Sequence, residues 1–189
     1  MNQSEPLPGS SPSKSIHYGW VVVVVGTLTI FACLGLARFA FGMLLPSMSA
    51  ALGMSYNEMG FLGTGNFAGY LAAVGIAPFL LRRFSPRQLI ATGLLLIALC
   101  MFAIALGDSY LLILFLYTCV GLGSGIANIP IMVLVSYWFH QEKRGQAAGL
   151  IVVGSGFAII FSGFLIPFLN DYFAHDGWRA GWFILSLIV

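Results

Sequence analysis

Long, continuous apolar stretches alternate with short polar patches along this chain from Gly19 onward. An apolar stretch of roughly 20 residues forms a helix that can cross the hydrocarbon core of a bilayer, which is about 30 Å thick. The pattern therefore predicts an all-α membrane protein. The predicted helices cover residues 19–46, 57–81, 86–107, 110–139, 145–169 and 178–189.

Local signals mark the ends of several predicted helices. Ser55 and Glu58 have the spacing of a capping box, in which the two side chains satisfy each other's backbone N–H groups at a helix start. Ser85 is a candidate N-cap, and Pro86 suits the first turn that follows it. Gly107 is typical of a helix end.

Charged residues follow the same alternation. Basic residues lie in every second polar patch (Lys14; Arg82, Arg83 and Arg87; Lys143 and Arg144), and acidic residues lie in the others (Glu58, Asp108, Asp171 and Asp176). Since basic loops stay on the cytoplasmic side of a membrane, this pattern predicts a chain that crosses repeatedly. It also predicts a cytoplasmic N-terminus, and we expect a multi-pass protein of a cell membrane, such as a bacterial inner membrane.

The two ends of the chain differ from its middle. Residues 1–17 are rich in Ser and Pro, and we expect them to form a disordered cytoplasmic tail ahead of a transmembrane unit over residues 18–189. The last predicted helix has about 12 residues, which give roughly 18 Å of rise and do not span the bilayer core. The sequence alone therefore favours a fragment whose sixth helix is truncated.

Composition narrows the possible functions. Hydrophobic residues make up 59% of the chain and charged residues 7%, whereas a soluble domain carries about 25% charged residues. The net charge of +2 is too small to indicate a nucleic-acid partner. The cysteines lie inside apolar stretches without metal-ligand spacing, so we expect packing residues and neither a metal nor a cofactor (Cys33, Cys100 and Cys119).

Small residues distinguish the predicted helices from one another. The third is almost purely aliphatic, as expected of a helix that faces lipid, whereas the second, fourth and fifth are rich in glycine. Glycines spaced four apart let membrane helices approach closely. This spacing occurs at Gly65 and Gly69, and again at Gly145 and Gly149. The run Gly121-x-Gly123-x-Gly125 is predicted to make a tight helix contact, because it lacks the context of a nucleotide-binding loop.

Arg38 is the one charged side chain that falls clearly inside a predicted span. It lies about eight residues, or roughly 12 Å of rise, from the predicted outer end of its helix. One interpretation is that its long side chain extends to the interface. We favour the alternative that it faces a cavity, since helical side chains tilt toward the helix N-terminus, here the bilayer middle.

A guanidinium in such a cavity requires a carboxylate or phosphate partner. No acidic residue lies within any predicted span, so the partner is either an anionic substrate, which we favour, or a segment outside this chain. Polar side chains on the second and fourth helices are further candidates for substrate contacts, although such residues also bridge helices. These candidates are Asn66, Tyr70, Tyr117 and Asn128.

The sequence gives no sign of an enzyme. A membrane enzyme needs clustered His, Cys or carboxylate groups near one interface, and this chain has none. Its histidines, His17, His140 and His175, lie near the predicted interfaces, so no proton relay is evident within the spans.

At the level of motifs, the chain from Tyr18 onward resembles the N-terminal half of a major facilitator superfamily transporter. The loop between the second and third helices is similar to the family's G-x-x-x-D-R-x-G-R-R signature: Arg83 and Arg87 are kept, while Arg82 replaces the acidic residue. Arg144 followed by Gly145 resembles the connection between helices 4 and 5, and Gly177-Trp178-Arg179 resembles the start of helix 6. The resemblance implies a conformational loop region containing Arg83, Arg87 and Arg144.

That family has 12 helices in two halves, each built from inverted repeats. The resemblance implies that this chain supplies the first six helices, that helices 1 and 4 line a central cavity, and that the other half comes from a missing segment or a second copy. Tyr18-Gly19-Trp20 and Arg38-Phe39-Ala40 look most like the monocarboxylate and oxalate/formate branches, which move small organic anions.

The leading hypothesis is therefore a secondary transporter segment that moves a small organic anion, such as a monocarboxylate, by alternating access. One alternative is a sugar or drug efflux transporter of the same superfamily. Another is a truncated membrane protein that does not transport.

Overall fold

A computed structural model describes residues 18–173 and 176–189, so the tail predicted for residues 1–17 lies outside the described residues. All regular elements in these two ranges are helices. They are α1 (Tyr18–Ile30), a π-helical segment (Phe31–Phe39), α2 (Phe41–Leu52), α3 (Tyr56–Arg83), α4 (Pro86–Leu106), α5 (Tyr110–Trp138), α6 (Gln141–Phe173) and α7 (Gly177–Ile188).

The first span is one long helical run that contains a π-helical segment. The backbone N–H of Ala40 donates to the carbonyl of Gly35 at 3.1 Å, five residues back. The run continues past the predicted end at Pro46, because a membrane helix accommodates an internal proline. It ends at Gly53, whose φ of 63° is the left-handed conformation that glycine adopts readily at a helix C-terminus.

The predicted caps are confirmed. At the start of α3, the Ser55 N–H donates to the Glu58 carboxylate at 2.8 Å and the Glu58 N–H donates to the Ser55 hydroxyl at 3.3 Å. Ser85 caps α4 in the same way with Gln88, and Pro86 occupies the first turn. Gly107 is the C-cap of α4.

The central contact of the bundle joins α5 to α3 on one side and to α4 on the other. A Cβ added at Gly121 would lie 2.0 Å from the Asn66 carbonyl oxygen on α3, and one added at Gly123 would lie 2.9 Å from the Gly93 carbonyl oxygen on α4. The tight helix contact predicted for Gly121-x-Gly123-x-Gly125 is confirmed. Gly69 makes the reciprocal approach, with its Cβ position 2.0 Å from the Thr118 carbonyl oxygen.

A second close contact joins the first span to α6. The Cβ positions of Gly35 and Gly154 lie 2.1 Å from the Ala158 side chain and 2.3 Å from the Thr27 carbonyl oxygen. In contrast, Cβ atoms at Gly145 and Gly149 would meet nothing within 4 Å among the described residues. The close contact suggested by their spacing is therefore not made within this bundle.

The aliphatic helix α4 is less peripheral than its composition suggests. It buries Gly93, Ile97 and Met101 against its neighbours, while Leu95 and Leu99 on its other face stay exposed. In the most apolar 18 residues of each helix, 39% are buried for α4, against 22% for α3 and 28% for α6. Composition indicated only that α4 has a lipid-facing side. It could not indicate that α3 and α6 are the more exposed helices.

A polar cluster fastens α7 to the end of α4. The Arg179 guanidinium donates to the Ala105 carbonyl at 3.1 Å and forms an ion pair with Asp108 in the turn before α5. Asp176, just ahead of α7, lies 3.6 Å from the same guanidinium.

In the part of the chain that the structure describes, five helical runs are long and apolar enough to cross a membrane. The protein is thus an all-α, multi-pass membrane protein.

The packing predicts that Gly121→Ala will destabilise the bundle. The added methyl group has no room against the α3 backbone, and overpacking of this kind typically costs about 1–3 kcal/mol. Gly60→Ala is the matched control on α3, since nothing lies within 4 Å of its Cβ position. Thermal unfolding in detergent should show a lower midpoint for Gly121→Ala and an unchanged or higher one for Gly60→Ala. Equal midpoints would contradict the proposed tightness of the contact.

Candidate functional site

Arg38 lies in the last turn of the π-helical segment and is half-buried. Because the first span continues to Leu52, Arg38 is about 21 Å of helical rise from that end, deeper than the sequence predicted. π-Helical turns inside longer helices are frequently found at functional sites. No local sequence pattern predicts this turn, which changes the direction of every side chain that follows it.

The guanidinium of Arg38 contacts aromatic rings instead of carboxylates. Its Cζ atom lies 3.8 Å from the ring centroid of Phe67 and 5.1 Å from that of Tyr70, both on α3. Within residues 18–173 and 176–189, no carboxylate lies within ion-pair distance of it, and its N–H groups donate no hydrogen bond. The positive charge is therefore stabilised by ring faces but is not neutralised.

Tyr70 and Asn128 extend this site from α3 to α5. The Asn128 amide donates to the Tyr70 hydroxyl oxygen at 2.8 Å, which leaves the hydroxyl proton for another acceptor. The side-chain oxygen of Asn128 is buried and has no partner among the described residues. Arg38, Tyr70 and Asn128 thus bring hydrogen-bond donors together from three elements of the bundle.

Asn66 and Tyr117 lie behind this group. Asn66 is 1% exposed, and its amide donates to the Tyr117 carbonyl at 3.0 Å, which joins α3 to α5. The Tyr117 hydroxyl donates to the backbone carbonyl of Arg38 at 3.4 Å, and its ring is packed against Phe41 and Trp182. In this structure both residues brace the backbone that carries Arg38, and their side chains do not line open space.

The arginines predicted for the conformational loop lie at one end of the bundle. Arg83 ends α3 and Arg87 lies in the first turn of α4, and both are exposed. Arg144 is exposed in the first turn of α6, where its Nε donates to the Phe139 carbonyl at 2.8 Å. That bond closes the connection between α5 and α6.

Sequence reasoning missed Phe67, which makes the shortest contact with the Arg38 guanidinium. A phenylalanine in an apolar helix gives no signal of its own. Its only available signal was its position between two candidate polar residues, Asn66 and Tyr70. No group of at least three His, Cys, Asp or Glu side chains in the described ranges is placed to hold a metal ion.

Comparison with known proteins agrees with this architecture. The family model of the Major Facilitator Superfamily matches residues 27–189. Monocarboxylate transporter 9 of Rattus norvegicus is 27% identical over 170 residues, which cover 89% of this chain and 33% of that protein. The agnestins efflux protein AgnL12 of Paecilomyces divaricatus is 29% identical over 159 residues, covering 80% of this chain and 36% of that protein.

One shorter alignment has a higher sequence identity. Monocarboxylate transporter 14 of Mus musculus is 41% identical over 64 residues, covering 34% of this chain and 12% of that protein. The chain spans about a third of the length of the relatives that match most of it.

The bracing role of Asn66 predicts a measurable loss of stability on Asn66→Ala. The substitution removes the amide that bonds the α5 backbone, and interhelical hydrogen bonds in membranes contribute about 0.6–2 kcal/mol. Thr64→Ala is the matched control, because Thr64 is exposed and its hydroxyl bonds only within α3. Thermal unfolding in detergent measures both. A midpoint for Asn66→Ala no lower than that for Thr64→Ala would contradict the bracing role.

Proposed function

This chain belongs to the Major Facilitator Superfamily, and on that premise we propose that it forms part of a secondary transporter for a small organic anion, such as a monocarboxylate. The observation that carries the proposal is the guanidinium of Arg38 deep in the bundle, which no carboxylate among the described residues neutralises. A charged side chain at the bilayer centre costs about 2.5–3.5 kcal/mol on insertion scales and usually faces the protein interior or a water-filled cavity.

A carboxylate is the natural partner for this group. Guanidinium binds carboxylates through paired, charge-assisted hydrogen bonds, and among the described residues the Arg38 guanidinium has no other hydrogen-bond partner. Tyr70 can donate a further hydrogen bond beside it, and Asn128 orients Tyr70. Asn66 and Tyr117 support the site by fixing the backbone behind it. The names of two matched relatives, monocarboxylate transporters 9 and 14, favour a substrate with a single carboxylate.

Alternating access requires a second group of helices that encloses the site on its open side. We propose that a second six-helix half, from the same polypeptide or from a second copy, covers the exposed faces of α3 and α6. Those faces include Gly149 and Gly156, whose Cβ positions are open, and Leu71 and Phe157, which are 66% and 60% exposed. Small residues beside large apolar ones are typical of membrane-helix interfaces.

The proposed orientation places the N-terminus on the cytoplasmic side of a cell membrane. A bacterial inner membrane is one example. The end of the bundle formed by the α3–α4 and α5–α6 connections is basic, while the other end carries Glu58, Asp108, Asp171 and Asp176. Basic residues favour the cytoplasmic side. We further propose that Arg83, Arg87 and Arg144 belong to a loop region whose contacts change as the halves move.

A second candidate function is efflux of an organic compound. The resemblance to an agnestins efflux protein favours it, and the same cationic site would serve either direction. Uptake and release assays on the same vesicles distinguish the two.

The central prediction is that Arg38→Ala lowers pyruvate transport at least about ten-fold, since a buried charge pair is worth more than 1.4 kcal/mol. Arg38→Lys should transport partially, because an ammonium keeps the charge but not the paired hydrogen bonds. The measurement is uptake of labelled pyruvate into proteoliposomes, with the uncharged analogue pyruvamide as the substrate control.

Arg82→Ala is the matched protein control, since Arg82 is exposed and has no proposed role. Unchanged pyruvate transport in both Arg38 variants would remove Arg38 from the mechanism. Equal transport of pyruvate and pyruvamide would show that the negative charge of the substrate is not recognised.

A further inference from the structure

Phe67 is exposed and also contacts the guanidinium of Arg38. It is 59% exposed on α3, next to the fully enclosed Asn66, and its ring centroid is 3.8 Å from the Cζ atom of Arg38. Tyr70, one turn further along α3, presents its ring to the same guanidinium at 5.1 Å. Both distances are within the range in which an aromatic face attracts a cation.

An aromatic face stabilises a guanidinium in a way that a carboxylate cannot. The ring quadrupole attracts the cation without accepting its N–H groups, so the donors stay available for another partner. In the described ranges of this chain, the Arg38 guanidinium donates no hydrogen bond to protein. A carboxylate in the place of Phe67 would neutralise the charge and occupy the same donors that a substrate needs.

We propose that Phe67 is a positioning residue for anion binding: with Tyr70 it holds the Arg38 guanidinium by its face and leaves its N–H edges open to a carboxylate. This inference deepens the proposed function and, in its transport measurement, rests on it. Because a planar guanidinium stacks on aromatic rings better than an ammonium does, the clamp formed by Phe67 and Tyr70 would hold a lysine at position 38 less well than arginine.

The clamp also has a consequence for specificity. The exposed ring of Phe67 forms an apolar wall beside Arg38, the one cation of the described spans that lies away from their first and last turns. A second carboxylate on the substrate would lose hydration against this wall without gaining a charged partner. The site is therefore expected to prefer monoanions with an apolar body, such as pyruvate, over dianions such as oxalate.

The transport test compares Phe67→Leu with Phe61→Leu. Phe61 is 60% exposed on the same helix and, among the described residues, makes no cation–π contact with Arg38. We expect Phe67→Leu to raise the KM for pyruvate about five-fold, with little change in kcat, because it removes one cation–π contact. Phe67→Tyr should restore the wild-type KM, since it keeps the ring. In an Arg38→Lys background, Phe67→Leu should have a smaller effect.

A chemical test decides the clamp without relying on transport. Phenylglyoxal modifies arginine side chains, and the rate at Arg38 can be followed by mass spectrometry of the detergent-solubilised protein. We expect Phe67→Leu to raise that rate several-fold over Phe61→Leu, because the guanidinium is released from the ring, and Phe67→Tyr to leave it unchanged.

Equal modification rates in Phe67→Leu and Phe61→Leu would overturn the clamp even if Arg38→Ala abolishes transport. If transport proves independent of Arg38, the proposed function fails, and the modification rates alone then support or overturn the clamp.

Discussion

A positive charge deep in a lipid-embedded bundle must be stabilised by something other than bulk water, and this constraint accounts for much of the architecture around Arg38. A π-helical segment departs from the regular α-helical bonding pattern, and side chains from α5 donate hydrogen bonds to two of its carbonyls. Ser124 donates to the Cys33 carbonyl at 2.7 Å, and Tyr117 donates to that of Arg38. Unpaired backbone groups are costly in a membrane, so these bonds allow the irregular turn to persist.

The frame that holds the turn depends on close backbone approach. Lipid tails are as apolar as leucine, so membrane helices associate through packing and hydrogen bonds and not through the hydrophobic effect. Gly69 and Gly121 bring α3 and α5 together, and Gly35 and Gly154 bring the first span against α6. These contacts place Phe67 and Tyr70 of α3 within reach of the Arg38 guanidinium. Close packing at these glycines thus helps to determine which side chains surround the Arg38 charge.

Local chemistry made part of this structure predictable. The capping box at Ser55 and the N-cap at Ser85 depend only on residues close together in the chain, so sequence alone identified both helix starts. The reciprocal bond to Gln88 at the second start was not predicted. Glycine spacing was less informative. Gly65 and Gly69 contact α5, whereas Gly145 and Gly149 share the spacing but contact nothing among the described residues. The spacing indicates that a helix can be approached closely but does not indicate whether a neighbour lies there.

The sequence predicted the charged residue of the site, Arg38, but not the side chains and backbone conformation around it. Arg38 stood out because an isolated charge in an apolar stretch is rare, whereas its aromatic partner had no distinguishing signal. The π-helical segment is in contact with α5 and α6, and no local sequence pattern indicates such contacts. Asn66 and Tyr70 share a helix face by spacing, yet Asn66 is enclosed at the α5 contact and Tyr70 reaches the Arg38 guanidinium.

The most direct measurement of the central claim is the distance between a bound carboxylate and the guanidinium of Arg38. Solid-state NMR dipolar recoupling between carboxyl-labelled ¹³C-pyruvate and ¹⁵N-arginine protein in lipid reports it. A carboxylate held by paired hydrogen bonds should lie within about 4 Å of guanidinium nitrogen, with the coupling lost in Arg38→Lys. A bound pyruvate that shows no coupling to arginine, or the same coupling in Arg38→Lys, would contradict the account.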